Sequence, residues 1–202
     1  MVGGIYMSRI WITSDLHIGH NRNYIFQSRG FKNIQEHDEK LVINWNELVD
    51  PDDVVYILGD VMLKHDLQDD QFSYGLSILE QLNGKLIILR GNHDSIGKIE
   101  KYKTCQNVVQ AGDAALYLDY PETGRYHFYL THYPTLVSHK NLKPVKSALI
   151  NIYGHTHQKE HFFEGHPYMY CACLDAHELK PVLLDDIIEE IKMNKSSYEE
   201  SF

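Results

Sequence analysis

Val54-Val55-Tyr56-Ile57-Leu58-Gly59-Asp60 is a run of five apolar residues that ends in a glycine and a carboxylate. Apolar residues in unbroken succession, without alternation, mark a strand buried on both faces, the habit of parallel sheets covered by helices. The flanks agree. Upstream, Ile34 to Val49 carries Ile34, Leu41, Trp45 and Leu48 on one helical face, and Asp50-Pro51-Asp52-Asp53 breaks it before the strand begins. Downstream, Phe72, Leu76 and Leu79 fall at helical spacing, Asn83-Gly84 closes that helix, and Leu86 to Leu89 is a second buried run. Helix and strand in alternation make this an α/β chain.

Further out the pattern continues. Arg9 to Thr13 is a short β-rich run. Ala115 to Asp119 and His127 to Leu130 flank Tyr120-Pro121-Glu122-Thr123-Gly124, which reads as a hairpin loop. Leu149 to Tyr153, Tyr168 to Leu174 and Pro181 to Leu184 read as strands, and Asp185 to Lys192 as a closing helix. The 202 residues suit one α/β domain, over residues 9–192. Residues 1–8 read as an N-terminal leader, since Met7 is a second plausible start, and 193–202 as a polar, frayed tail.

Composition removes several classes of function. The longest apolar run is five residues, where a membrane helix needs about 20. The net charge of −9 gives no overall field that would draw in a nucleic-acid backbone, and no cluster of five or six Lys/Arg makes a dedicated nucleic-acid module. Three cysteines, Cys105, Cys171 and Cys173, are too few and odd in number for a disulfide framework; with no signal-peptide pattern the default is the reducing cytoplasm. Cys171-x-Cys173 has the wrong spacing for a zinc knuckle and reads as apolar packing.

The unusual feature is thirteen histidines, several of them at strand ends. The first strand runs into Ser14-Asp15-Leu16-His17, the second into Gly59-Asp60, and the third into Arg90-Gly91-Asn92-His93-Asp94. The strand from His127 runs into Thr131-His132, and that from Leu149 into Gly154-His155-Thr156-His157. Sites in open α/β sheets form outside the carboxyl ends of strands, so five such ends can share one crevice. Asp, His and Asn without thiolate suit Mn²⁺, Fe or Zn²⁺. Asp15, His17, Asp60, Asn92, His132, His155 and His157 are seven candidate ligands, too many for one catalytic ion with an open position. They fit two ions about 3.5–4 Å apart sharing a carboxylate. Asp60 is the natural bridge, beside a glycine that permits close approach.

These motifs, in this order, resemble the calcineurin-like metallophosphoesterase superfamily over about Arg9 to Leu184, and Thr13 to Asn21 resembles a small bacterial and phage branch of it. The resemblance implies a single-domain αββα sandwich of two β-sheets flanked by helices. It implies a phosphoester hydrolase with two divalent ions, Mn²⁺ first and Fe, Zn²⁺ or Ni²⁺ as alternatives. One ion would be held by Asp15, His17, Asp60 and His157, the other by Asp60, Asn92, His132 and His155. A hydroxide bridging them would attack phosphorus. His93 would be general acid, with Asp94 orienting its ring, and Asn92 would touch a phosphoryl oxygen.

Each motif has a bland reading: Asp-x-His as a turn, Asn92-His93-Asp94 as a helix cap, His155-x-His157 as a surface pair. Five coincidences at five strand ends outweigh them, least so for Asp94. Among residues outside the motifs, Arg90 and His20 are candidate substrate contacts, and Arg29 is another, against solvent exposure; the other histidines (His37, His65, His127, His139, His161, His166 and His177) read mostly as surface residues. The expected substrate is a small phosphodiester or nucleotide-type phosphoester, shaped by the loops Gly19–Asn33, Lys64–Gln71 and Val137–Ser147. The alternatives are a phosphomonoesterase, a catalytically silent metal-binding scaffold on the same fold, and a metallohydrolase of another type. The oligomeric state is not legible.

Overall fold

The structure, a computed structural model, describes residues 8–62, 70–120, 126–135 and 148–200. The expected leader (all but Ser8), loop residues 64–69 and 137–147, the hairpin turn after Tyr120, His65 and His139 lie outside them. In chain order the elements are β1 (Ile10–Thr13), α1 (Asn23–Phe26), α2 (Ile34–Asn46), β2 (Val54–Ile57), α3 (Asp70–Leu79), β3 (Lys85–Ile88), α4 (Ile96–Tyr102), β4 (Val108–Ala111), β5 (Ala115–Asp119), β6 (Tyr126–Thr131), β7 (Ala148–Tyr153), β8 (Met169–Cys171), β9 (Val182–Leu183) and α5 (Leu184–Glu200). They build two sheets, ordered β4-β3-β2-β1-β9 and β5-β6-β7-β8. β1 to β4 are mutually parallel and β9 is antiparallel to β1. In the second sheet β6, β7 and β8 run parallel and β5 is antiparallel to β6.

Two apolar layers follow from the strand patterns. Val55, Ile57, Leu86 and Ile88 face outward from the first sheet against Leu41 and Trp45 of α2, Phe72 and Leu79 of α3, and Tyr102 of α4. Ile12, Leu58 and Leu89 face the other way and meet Phe128, Leu130, Ile150, Ile152 and Tyr170 of the second sheet, with Leu184, Ile187, Ile188 and Ile191 of α5. A sheet needs both faces covered when its strands are apolar throughout, and this sandwich of two sheets with helices does that.

Boundaries depart from the sequence reading at several points. α2 stops at Asn46, where Leu48 N–H turns back to Trp45 O (3.0 Å), three residues short of Val49. Its start is set locally, since Asn33 accepts from Glu36 N–H and Glu36 accepts from Lys32 N–H, each at 2.9 Å. α5 runs to Glu200 where a frayed tail was expected. α1 and β4 were not anticipated, for they are short, and β4 is half-exposed at the sheet edge.

β8 is shorter than expected because the chain leaves the second sheet and joins the first. Ala172 N–H still bonds Tyr153 O, but Cys173 bridges to Ser14, and Leu174 N–H donates to Ser14 O (3.1 Å). A polar clamp fixes this crossing to α5. Glu190 accepts from the His161 ring (2.6 Å) and from Tyr170 Oη–H (3.3 Å), while His177 Nε2–H donates to Cys171 O (2.8 Å).

Candidate metal centre

The carboxyl ends of β1, β2 and β3 in one sheet and of β6 and β7 in the other meet at one edge of the sandwich, where His155 N–H reaches Asp15 and the His132 ring faces Asp60. Among the described residues, five of the eight non-glycine residues with positive φ are site residues: Asp15 (60°), His17 (51°), Asp60 (55°), His155 (71°) and His157 (50°). Left-handed backbone is strained for residues other than glycine and concentrates where a side chain must be aimed. Here it turns each of these side chains off the end of its strand. Gly59 (φ 97°) permits the same turn next to Asp60, and a Cβ there would stand 2.5 Å from Gly91 N and 2.9 Å from His132 Nδ1. At Gly154 a Cβ would strike Ser14 Oγ and Asp15 Oδ2.

Two groups of donor atoms result, Asp15/His17/His157 and Asp60/His132/His155, each within 4.8 Å. In the first, His17 Nε2 and His157 Nε2 are 3.2 Å apart, and Asp15 Oδ1 is 3.9 and 3.6 Å from them. Asp15 is fully buried. Its Oδ2 accepts from His155 N–H (2.8 Å) and Cys173 Sγ–H (3.2 Å), whereas Oδ1 has no hydrogen-bond partner. Burial, with the charge of Arg29 second, holds the His17 pKa well below its usual value, so the ring is neutral. Burial pulls His157 the same way, but the hydrogen bond to Asp175 and the charges of Asp15 and Asp175 outweigh it, and the net direction is up. The pocket therefore favours positive charge on the His157 ring.

In the second group His132 Nδ1 is 2.8 Å from Leu58 O. A carbonyl only accepts, so Nδ1 carries the hydrogen and Nε2 is left as the nitrogen whose lone pair can bind a metal. That lone pair faces Asp60 Oδ2 at 3.6 Å and Asn92 Oδ1 at 2.8 Å. Donor atoms held about 2.1 Å from one ion stand about 3.0–3.5 Å from one another. The separations here, with an orphaned buried carboxylate oxygen among them, fit divalent metal ions in both groups.

All seven anticipated ligands and His93 lie at this edge. Asp60 is grouped with His132 and His155 rather than with Asp15, and its Oδ1 accepts from His93 N–H (2.9 Å). The His93 side chain is 35% exposed, with Nε2 3.8 Å from Asp60 Oδ2. His20 is buried behind His17, their Nδ1 atoms 3.3 Å apart, and its Nε2 meets Tyr24 Oη at 3.3 Å. Arg90 is exposed at the end of β3, where its backbone N–H donates to Asp113 O.

Two expectations are corrected. Asp94 does not orient the His93 ring. It is buried, its Oδ2 accepting from Asp60 N–H (2.7 Å) and Gly91 N–H (3.0 Å) and its Oδ1 from Tyr102 Oη–H (3.0 Å), so it ties two motif loops together. Nor does it cap α4, since Ser95 does. Arg29 is neither a phosphate contact nor exposed. Its five N–H donors all point inward, to both oxygens of Asp175, to the carbonyls of Asp15 and Leu16, and to His37, which is likewise buried rather than on the surface. The sequence reading missed Asp175, which bonds His157, and Lys98, whose buried ammonium donates to His93 O (2.9 Å) and Met62 O (2.8 Å). No spacing rule points to either, because each acts through a partner distant in sequence or through backbone carbonyls. Cys173, read as packing, also donates its thiol hydrogen to Asp15.

The profile of the calcineurin-like phosphoesterases matches residues 8–180. The chain belongs to this family. As a calcineurin-like phosphoesterase it is similar to an uncharacterized protein of Methanocaldococcus jannaschii, 28% identical over 198 residues and 94% of each chain. It is also similar to the Gene 66 protein of Mycobacterium phage D29, 31% identical over 76% of this chain and 80% of that one. A protein of unknown function from Aquifex aeolicus shares the fold, with a TM-score of 0.64 at 20% identity, covering 91% of this chain and 99% of the other. Family membership supports a hydrolase acting on phosphoester bonds. Among the described residues no helix is long and apolar enough to cross a membrane.

Proposed function

We propose that this calcineurin-like phosphoesterase is a two-metal hydrolase of small phosphodiesters or nucleotide-type phosphoesters. The observation that carries the reading is the pair of donor groups in which lone pairs face one another, Asp15 Oδ1 among them without a hydrogen-bond partner. Asp15, His17, His157 and Asp60 would hold one ion and Asp60, Asn92, His132 and His155 the other; the mixed O/N donor set suits Mn²⁺, Fe or Zn²⁺, and the family resemblance puts Mn²⁺ first. Two such ions supply Lewis acidity at the phosphoryl oxygens and acidify water toward neutral pH.

The chain's own residues do the rest. The Asn92 amide is exposed and can donate to a phosphoryl oxygen. His93 is open enough to reach a leaving group, and its backbone is held from both sides, N–H by Asp60 and carbonyl by Lys98. It is therefore the candidate general acid. Tyr133 is 51% exposed and packs on His132 and His155, with ring centroids at 5.1 and 4.6 Å; Tyr24 is 67% exposed beside His20. Aromatic surface on this rim suits a substrate bearing a base or aryl group. With a net charge of −9, small substrates are favoured over long polyanions. Three unpaired thiols support a cytoplasmic setting.

The test is hydrolysis of an activated aryl phosphodiester against the matching monoester, on metal-stripped protein reloaded with Mn²⁺. Faster diester turnover is expected. Monoester preference would move the assignment to a phosphatase, and no turnover with two ions bound would favour a scaffold.

A further inference from the structure

Behind the first donor group lies a buried polar chain that the reaction does not use directly. His157 Nδ1 is 2.8 Å from Asp175 Oδ2. Arg29 grips both Asp175 oxygens, through Nε (3.1 Å) and Nη2 (2.7 Å). Its remaining donors reach Asp15 O (2.7 Å), Leu16 O (3.2 Å) and His37 Nε2 (2.9 Å). His37 Nδ1 is in turn 2.8 Å from Asp38 Oδ1, and Asp38 Oδ2 accepts from Gly19 N–H at 2.9 Å. The side chains of Arg29 and Asp175 are 3% and 5% exposed.

The direction of every bond is fixed. Asp38 accepts, so His37 carries its hydrogen on Nδ1 and offers Nε2 to Arg29. Asp175 accepts, so His157 carries its hydrogen on Nδ1 and presents Nε2 toward Asp15 and His17. Arg29 also pins the carbonyls of Asp15 and Leu16, the peptides on either side of which hold Asp15 and His17 in left-handed backbone. One guanidinium thus touches the supports of all three members of one donor group and of none in the other.

We propose that Asp175 and Arg29 are positioning residues for the ion at Asp15, His17 and His157, fixing the tautomer of His157 and the aim of the Asp15–His17 turn. This rests on the two-metal reading above. Partners in this position behind a ligating histidine carry about 10–100-fold of metal affinity. A buried ion pair serving stability alone would have no such selectivity between the two ions.

The experiment is a Co²⁺ titration of metal-stripped protein, followed by calorimetry and by visible absorption. Wild type is expected to take two equivalents. Asp175→Asn is expected to weaken one of them about 10–100-fold and leave the other within about twofold. Arg29→Lys, which keeps the charge but has three donors for five acceptors, is expected to do the same. Imidazole ¹⁵N shifts of the metal-free chain, recorded at alkaline pH where the His157 ring is neutral, give a second readout: His157 is expected as the Nδ1–H tautomer in wild type and as a mixture in Asp175→Asn. Should Asp175→Asn not fold, Arg29→Lys carries both readouts. Two equivalents at unchanged affinity, or equal weakening of both, overturns this inference alone. A wild-type chain that binds no ion overturns the proposed function and this inference together.

Discussion

The Nε2 atoms of His17 and His157 stand 3.2 Å apart although the two residues are 140 positions apart in the chain. His17 is desolvated and neutral, and His157 spends its Nδ1–H on Asp175. With Asp15 Oδ1 alongside, the contact is a place for one positive charge. The backbone has accepted left-handed geometry at all three residues to make it. Such an arrangement opposes stability unless something binds, and metal loading is the economical explanation.

Asp60→Asn tests the second group. An amide can still accept from His93 N–H, so the fold is expected to persist, with an unchanged circular dichroism spectrum. The charge facing His132 Nε2 is lost. Turnover is expected to drop at least about 100-fold, because partners one step further from a metal already cost up to that much. Full activity in this variant would sink the two-metal reading.

His93→Gln separates proton donation from metal binding. The loss in kcat is expected to be about 10²–10⁴-fold for an alkyl leaving group, which needs a proton. For a nitrophenolate leaving group, which does not, the loss is expected to be small. Metal content is expected to be unchanged. Equal losses for both substrates would assign His93 to the metal site instead.

Gly59→Ala and Gly30→Ala form a pair. Both glycines have positive φ, 97° and 87°, but a Cβ at Gly30 meets nothing within 4 Å whereas one at Gly59 meets the backbone of Gly91. Gly30→Ala is expected to lose about 1–2 kcal/mol from backbone strain. Gly59→Ala is expected to lose about 2–5 kcal/mol, since overpacking adds to the strain. Urea unfolding of the two variants gives the difference.

His177 gives the acid limb of stability. Burial lowers its pKa from 6.5 to about 4, the nearby His161 adding to burial and the bond to Cys171 O opposing it. A base depressed in the folded state contributes stability above its unfolded pKa, and that stability is lost as pH falls through the folded value. Between pH 6.5 and 4 the unfolded chain takes up a proton that the folded chain does not. The difference amounts to at most about 3 kcal/mol. His177→Gln, which can still donate to Cys171 O, is expected to flatten that part of the unfolding free energy against pH, measured on metal-free protein.

The alternation of helix and strand, the five strand ends and the seven candidate ligands placed there could be read from the sequence because each is local. An apolar run shows its strand, and a carboxylate or imidazole just past that run lies near the strand's end whatever the rest does. The reading failed where a side chain's partner decides its role. Asp94 sits next to His93 in sequence and was paired with it, but it turns inward to Asp60, Gly91 and Tyr102. Arg29 stands among polar loop residues and looks exposed, yet all its donors are buried.

By itself, the sequence determined the fold class and which residue types meet at one edge, through periodicity and parallel strand order. The tertiary structure alone decided which candidate ligands stand together, which tautomers they hold and what steadies them. Those depend on the crossing of the chain after β8, which carries Cys173 to Asp15 and Asp175 to His157 and Arg29. Contacts across some 150 residues are set by packing, which leaves no periodicity in the chain to read.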